Sequence, residues 1–157
     1  QGELDHWAQE PRGRLALILA LDQFPRSLFA GRPDAYAHDR HALELVLDGL
    51  ENGHYEALDS VWEKTFFGIP LVHAEGPDAV SRAQRCVELA EGLIELAPQH
   101  LRPMYEFAAE QARKHRRVLQ SFGRHPHRNE LLGRSSSEAE RAYLEAGDFP
   151  HLTDITL

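Results

Sequence analysis

The stretch Gly76-Pro-Asp-Ala-Val-Ser-Arg-Ala-Gln-Arg-Cys-Val-Glu-Leu-Ala-Glu-Gly-Leu-Ile-Glu-Leu-Ala97 decides the fold class. Its apolar positions 80, 83, 87, 90, 94 and 97 alternate steps of three and four, which lines them along one face of a helix. Gly76-Pro77 opens the segment and Pro98 closes it.

The same period recurs on both sides. Upstream, Pro11 suits the first turn of a helix running through Leu15, Leu17, Ile18, Leu19 and Leu21. Pro25 predicts its end near Phe24, because the residue before a proline avoids helical geometry. After Gly31-Arg-Pro33, a second helix carries Tyr36, Leu43, Val46, Leu47 and Leu50 to a stop at Asn52-Gly53. Residues 56–67 predict a third, with Leu58, Val61, Trp62 and Phe66, followed by a loop from Gly68 to Glu75. Downstream, Pro98 and Pro103 bracket a short link, and a fifth helix carries Met104, Ala108, Ala112, Val118, Leu119 and Phe122. Ser137-x-x-Glu140 reads as a capping box for a short last helix. No strand-like alternation competes. The expectation is one all-α domain over residues 1–157, built of antiparallel helical hairpins with short Gly/Pro turns.

Composition narrows the function classes. The chain has 157 residues and a formal charge of −8, from 17 Lys/Arg against 25 Asp/Glu. Such a balance argues against coating of nucleic acid, which rests on phosphate neutralisation. A single cysteine, Cys86, excludes an internal disulfide and fits a reducing cytoplasm. Cys86 lies beside an apolar stripe and is expected to pack. No apolar run approaches the ~18 residues of a membrane span. Gln1-Gly-Glu-Leu-Asp5 has neither the basic start nor the apolar region of a signal peptide.

The charge is uneven. Residues 113–134 hold seven Lys/Arg and one acid, Glu130, leaving 10 basic against 24 acidic residues elsewhere. Within this island Phe122-Gly-Arg-His-Pro-His-Arg-Asn129 places Arg124, His127, Arg128 and Asn129 around a Gly and a Pro, where a helix must stop. An arginine's planar fork suits carboxylate or phosphate. Arg113, Lys114, Arg116 and Arg117 read equally well as a solvated helix end.

Asp22 continues the buried stripe of the first helix, seven residues after Leu15 and four after Ile18. A buried carboxylate needs partners. Gln23 and Arg26 are the nearest polar residues, so Asp22 reads either as a structural ion pair or as a site acid orienting a histidine. His115 lies on an apolar stripe, four before Leu119, and reads as a core histidine or as a site residue. His73 and Glu75 form a His-x-Glu in the expected loop, a surface pair or a base and its orienter. His125-Pro-His127 completes no zinc framework, and neither a metal nor a cofactor is expected.

Leu21-Asp-Gln-Phe-Pro-Arg26 with Phe29-Ala-Gly31, Val72-His-Ala-Glu75, His115 before Phe122–Asn129, and Leu132-Gly-Arg134 together resemble the signature of the bacterial domain-of-unknown-function family 924. The resemblance runs in order along essentially the whole chain. It implies an all-helical, tetratricopeptide-like superhelical arrangement and no known reaction. It also implies a missing N-terminal segment, since family members begin with a Phe-Trp-Phe stretch and a further helix. Ser27 stands where the family has Asn, Ala74 where it has Ser, and His125 where it has an aromatic residue.

The expected site therefore draws on Asp22, Gln23 and Arg26, on His73 and Glu75, and on Arg124, His127, Arg128 and Asn129, with His115 beneath. The leading expectation is a polar pocket for a small anionic ligand, with Arg26, Arg124 and Arg128 as clamps. For a hydrolase, His73 or His127 supplies the general base or acid, with Asp22 or Glu75 fixing its tautomer. The alternative is an interaction module for an acidic peptide. The sequence leaves the ligand and the oligomeric state open.

Overall fold

Pro11 starts the first long helix, but Pro25 does not end it. In a computed structural model, which describes residues 3–147, 149 and 150, α1 (Pro11–Ile18) runs into a π-helical turn (Leu19–Gln23) and then into α2 (Phe24–Leu28). A proline inside a regular helix loses a hydrogen bond and collides with the carbonyl four residues back. Here the wider turn comes just before Pro25, and the helix passes through instead of breaking. The expected stop near Phe24 is thereby corrected.

The described residues are helices and turns, with no strand among them. Their packing divides the chain into two compact units, Gln1–Ala74 and Glu75–Leu157.

In the first unit α1 packs on α3 (Asp39–Glu51) and α4 (Val61–Gly68), and α3 packs on α5 (Pro70–His73). The core includes Leu15, Ile18, Val46, Leu58, Phe67 and Leu71. Phe67 is the buried aromatic of α4, whereas Trp62 lies exposed. The capping box of Ser60 and Glu63 starts α4. Ile69 keeps helical dihedrals and Pro70 takes the first position of α5. The stretch expected as a loop after Gly68 is therefore helical as far as His73. Arg14 is buried and satisfied: its guanidinium donates to the carbonyls of Leu45 and Ala8 at 2.9 and 3.0 Å and to His54 Nδ1 at 3.1 Å.

In the second unit α6 (Ala79–Leu96) and α7 (Arg102–Phe122) form an antiparallel hairpin. The cross-links set the direction: Arg113 Nη2 meets Glu91 Oε1 at 2.7 Å, and Arg116 further along α7 reaches back to Gln84. The buried face of α6 is Ala79, Ala83, Cys86, Val87 and Leu93, and Val80 is exposed. The face is rotated slightly from the expected stripe because small residues form the seam. Ala79, Ala83 and Cys86 share that role with Ala109 and Ala112 of α7. Gly123, with φ of 69°, ends α7 in the left-handed conformation that glycine adopts without a Cβ penalty. A single 3-10 turn (Pro126–Arg128) follows, and the expected capping box of Ser137 and Glu140 starts α8 (Glu138–Ala146).

No helix among the described residues is long and apolar enough to cross a membrane.

Candidate functional site

Asp22 sits in the π-helical turn with its side chain fully buried, at 0% exposure. π-turns widen a helix and redirect one side chain, and they recur at functional positions. His73, at the end of α5, approaches this carboxylate: Nδ1 lies 2.8 Å from Oδ1 and 3.0 Å from Oδ2. An ionised carboxylate only accepts, so Nδ1 carries the proton and Nε2 becomes the basic nitrogen. Gln23 also donates to Asp22, and Arg26 Nη1 stands 3.2 Å from Oδ1. Burial pushes the Asp22 carboxyl up. The charge and hydrogen bond of His73, the Arg26 guanidinium and Gln23 push it further down, so it stays ionised below its ordinary 3.8.

Arg26 has a second carboxylate. Its Nη2 donates to both oxygens of Asp39 at 2.8 and 3.0 Å, and its guanidinium carbon lies 5.7 Å from the Tyr36 ring centre. Asp39, the first residue of α3, carries no motif, and nothing in the sequence pattern singled it out. Asp22, Gln23, Arg26 and His73 thus come together in the first unit, with Asp39 as an unforeseen fifth member.

The second unit collects Glu75 and the basic turn. Glu75 Oε1 accepts the backbone N–H of His125 at 2.8 Å, and Arg134 grips both carboxylate oxygens, one of them at 3.1 Å. Burial raises the Glu75 carboxyl. The Arg134 fork, the His125 amide and the Arg128 charge lower it more, and the net value falls below 4.5. Arg124 closes a two-point fork on Glu140, Nε to Oε1 at 2.7 Å and Nη2 to Oε2 at 2.8 Å. That fork comes first among the influences that take the buried Glu140 down to about 2. Burial opposes it, and the capping bond from Ser137 and the amide of Asn129 assist it. Asn129 is turned inward and also donates to Ser136 Oγ at 3.0 Å. Arg128 is buried.

His125, not counted among the expected site residues, is 1% exposed and lies at the centre of a line of rings. His115 and His127 flank it with ring centres at 5.8 and 5.6 Å, and His127 continues to Phe149 at 6.2 Å. His115 Nδ1 donates to the Gln111 carbonyl at 2.9 Å, the bond of a histidine fixed to its own helix.

Sequence reasoning missed Asp39, Glu140 and Arg134 as partners. The capping box marked Glu140, but its second use by Arg124 had no local signal. Among the described residues no group of three or more His, Cys, Asp or Glu is arranged to hold a metal ion.

The model of a bacterial protein family of unknown function, DUF924, matches residues 1–148. The chain belongs to DUF924. A solved structure similar to this DUF924 chain is the protein of unknown function ATU0120 from Agrobacterium tumefaciens. The two are 36% identical with a TM-score of 0.75, over 92% of this chain and 74% of that one. No curated protein matches.

Proposed function

We propose that this DUF924 chain is a proton-transfer enzyme of the hydrolase class acting on a small anionic molecule, with His73 as general base. The observation that carries the proposal is the Asp22–His73 pair. A buried, ionised carboxylate holds the imidazole in the tautomer that leaves Nε2 basic, which is the orienting role a carboxylate plays beside a catalytic histidine. A purely structural tie could use the same bond. Two features favour chemistry. Asp22 is presented from a π-turn, and the His73 side chain keeps 15% of its surface exposed while that of Asp22 keeps none.

Asp22 is the orienter, and Gln23 and Arg26 hold it. Arg26 is the anion contact in this reading: a substrate carboxylate or phosphate takes the face of the guanidinium that Asp39 occupies. Glu75, Arg124 and Asn129 fix the basic turn through internal bonds.

A second reading is a tetratricopeptide-like module for an acidic peptide, and the antiparallel α6–α7 hairpin speaks for it. It ranks below the first because it has no counterpart to the buried Asp22–His73 pair. A cytoplasmic location accompanies either reading and rests on the lone cysteine.

The test pairs ¹⁵N NMR of the histidine rings with a panel of carboxylate- and phosphate-bearing esters and amides. Nδ1 of His73 is expected to be protonated in the wild type, and His73→Gln is expected to lower turnover about 10²-fold or more with the fold retained. Asp22→Asn should release the tautomer and alter the pH profile, and Arg26→Gln should raise KM more than it lowers kcat. Protonation at Nε2 in the wild type, or full turnover by His73→Gln, sinks the proposal.

A further inference from the structure

Asn52-Gly53 ends α3 and offers a chemistry that the Asp22–His73 proposal does not use. Asn52 is exposed and follows the helix with φ of −94° and ψ of 5°. Gly53 turns the chain in the left-handed region, at φ of 81°. Nothing lies within 4 Å of where a Cβ at Gly53 would stand, so the peptide joining the two residues has open space in which to rotate. Asn52 Oδ1 accepts the His54 N–H at 3.1 Å, which folds the carboxamide over the Gly53 backbone. We infer that Asn52 is a site of spontaneous covalent modification: the Gly53 nitrogen attacks the side-chain amide, and the asparagine becomes aspartate or isoaspartate.

The Gly53 amide gives its proton to a solvent base, and a bond forms between its nitrogen and Asn52 Cγ. The His54 N–H, already on Oδ1, faces the negative charge that develops there. The Cγ–Nδ2 bond then breaks, and Nδ2 takes a proton from solvent and leaves as ammonia. Water opens the cyclic imide. Cleavage at Cγ gives aspartate, whereas cleavage at the main-chain carbonyl routes the chain through Cγ as isoaspartate. One water is consumed, one ammonia is released, and the new carboxylate makes the formal charge of −8 more negative by one. Two other places lack these conditions. Asp48-Gly49 lies inside α3 with Gly49 buried, and Asn129 is 1% exposed. The position of Asn52 gives the change a consequence. His54 Nδ1 accepts from Arg14 Nε at 3.1 Å, and Arg14 is buried, where a guanidinium depends on its acceptors. Isoaspartate adds a backbone atom just before Gly53 and moves His54 off that bond. Aspartate leaves the chain length as it was.

The test ages the full chain at mildly alkaline pH beside a sample unfolded in urea, and follows both by peptide mapping and mass spectrometry. A gain of about 1 Da at Asn52 is expected in the native sample, at a rate within about tenfold of that in urea. Asn129, the other asparagine of the chain, should convert at least about tenfold more slowly than Asn52 in the native sample. Asn52→Gln should remove the conversion. The aged protein should melt about 4–8 °C below fresh protein, and below Asn52→Asp, which carries the new charge on a chain of unchanged length. Tryptophan fluorescence reads this melting, because Trp7 and Trp62 both lie in the first unit. The inference is overturned if native Asn52 keeps its amide while the unfolded chain loses it. Aged protein that melts together with Asn52→Asp overturns the link to Arg14.

Discussion

Glu75→Gln is the most informative single change to the second unit. The substitution keeps the size of the side chain and removes its charge. Wild-type Glu75 accepts from three donors, the two Arg134 nitrogens and the His125 amide. A glutamine offers one oxygen, and its NH₂ must face a donor. The Glu75 and Arg134 side chains are 22% and 24% exposed. Breaking a fully buried pair costs about 3–5 kcal/mol and an exposed one about 0–1, so a loss of about 2 kcal/mol is expected here. That is a large share of the ~5–15 kcal/mol of an ordinary domain.

The sign with pH follows from the lowered carboxyl of Glu75. Its stabilisation is complete above the unfolded value of about 4.3–4.5 and is lost as pH falls through the folded one. The gap between wild type and variant should therefore be widest near neutrality and shrink below pH ~4. Urea unfolding followed by circular dichroism measures it, because Trp7 and Trp62 both lie in the first unit and do not report on the second. A gap under ~0.5 kcal/mol at pH 7, or one that stays constant down to pH ~3, refutes the account of Glu75 as an ionised knot.

Gly49→Ala tests the first unit. A Cβ there meets the Phe67 ring at 2.4 Å and the Arg14 side chain at 2.7 Å, and both residues are buried, so a loss of about 1–3 kcal/mol is expected in thermal melts. A neutral result would mean that Phe67 and Arg14 are free to move. Cys86 tests the α6–α7 seam. Burial pushes its thiol up to about 12, so native protein at pH 8 should resist a thiol-directed dye that labels it promptly in urea. Rapid native labelling would show that the seam opens.

The helices were legible because period and punctuation act locally. The α6 stripe, the Ser137 box and the glycine stop at 123 need only neighbouring residues. Asp22 was legible for the same reason, since its place on the stripe of Leu15 and Ile18 predicts burial, and burial demands partners. The identity of those partners was less accessible. His73 lies 51 residues away and Asp39 has no motif, so only the folded chain brings them together. The passage through Pro25 was missed because the proline rule assumes a regular helix, and the π-turn changes the geometry that the rule describes. The basic island reads as an anion site because sequence counts net charge over a window, and the window hides the partners that folding supplies: Glu91 for Arg113, Glu140 for Arg124 and Glu75 for Arg134.

The turn at Leu19–Gln23 has a consequence for which changes the chain can absorb. A π-turn is one residue longer than the α-turn it replaces. Deleting one residue, for instance the exposed Ala20, would restore regular hydrogen bonding and improve the local backbone. The helix beyond it would keep nearly its present phase relative to Leu15 and Ile18, because the wide turn spends its extra residue within itself. The change would fall on the turn, where Asp22 would lose the widened backbone that presents it to His73. The segment therefore tolerates exchange of side chains at Ala20 far better than loss of the residue, and the extra residue, rather than any one side chain there, sets how Asp22 is aimed.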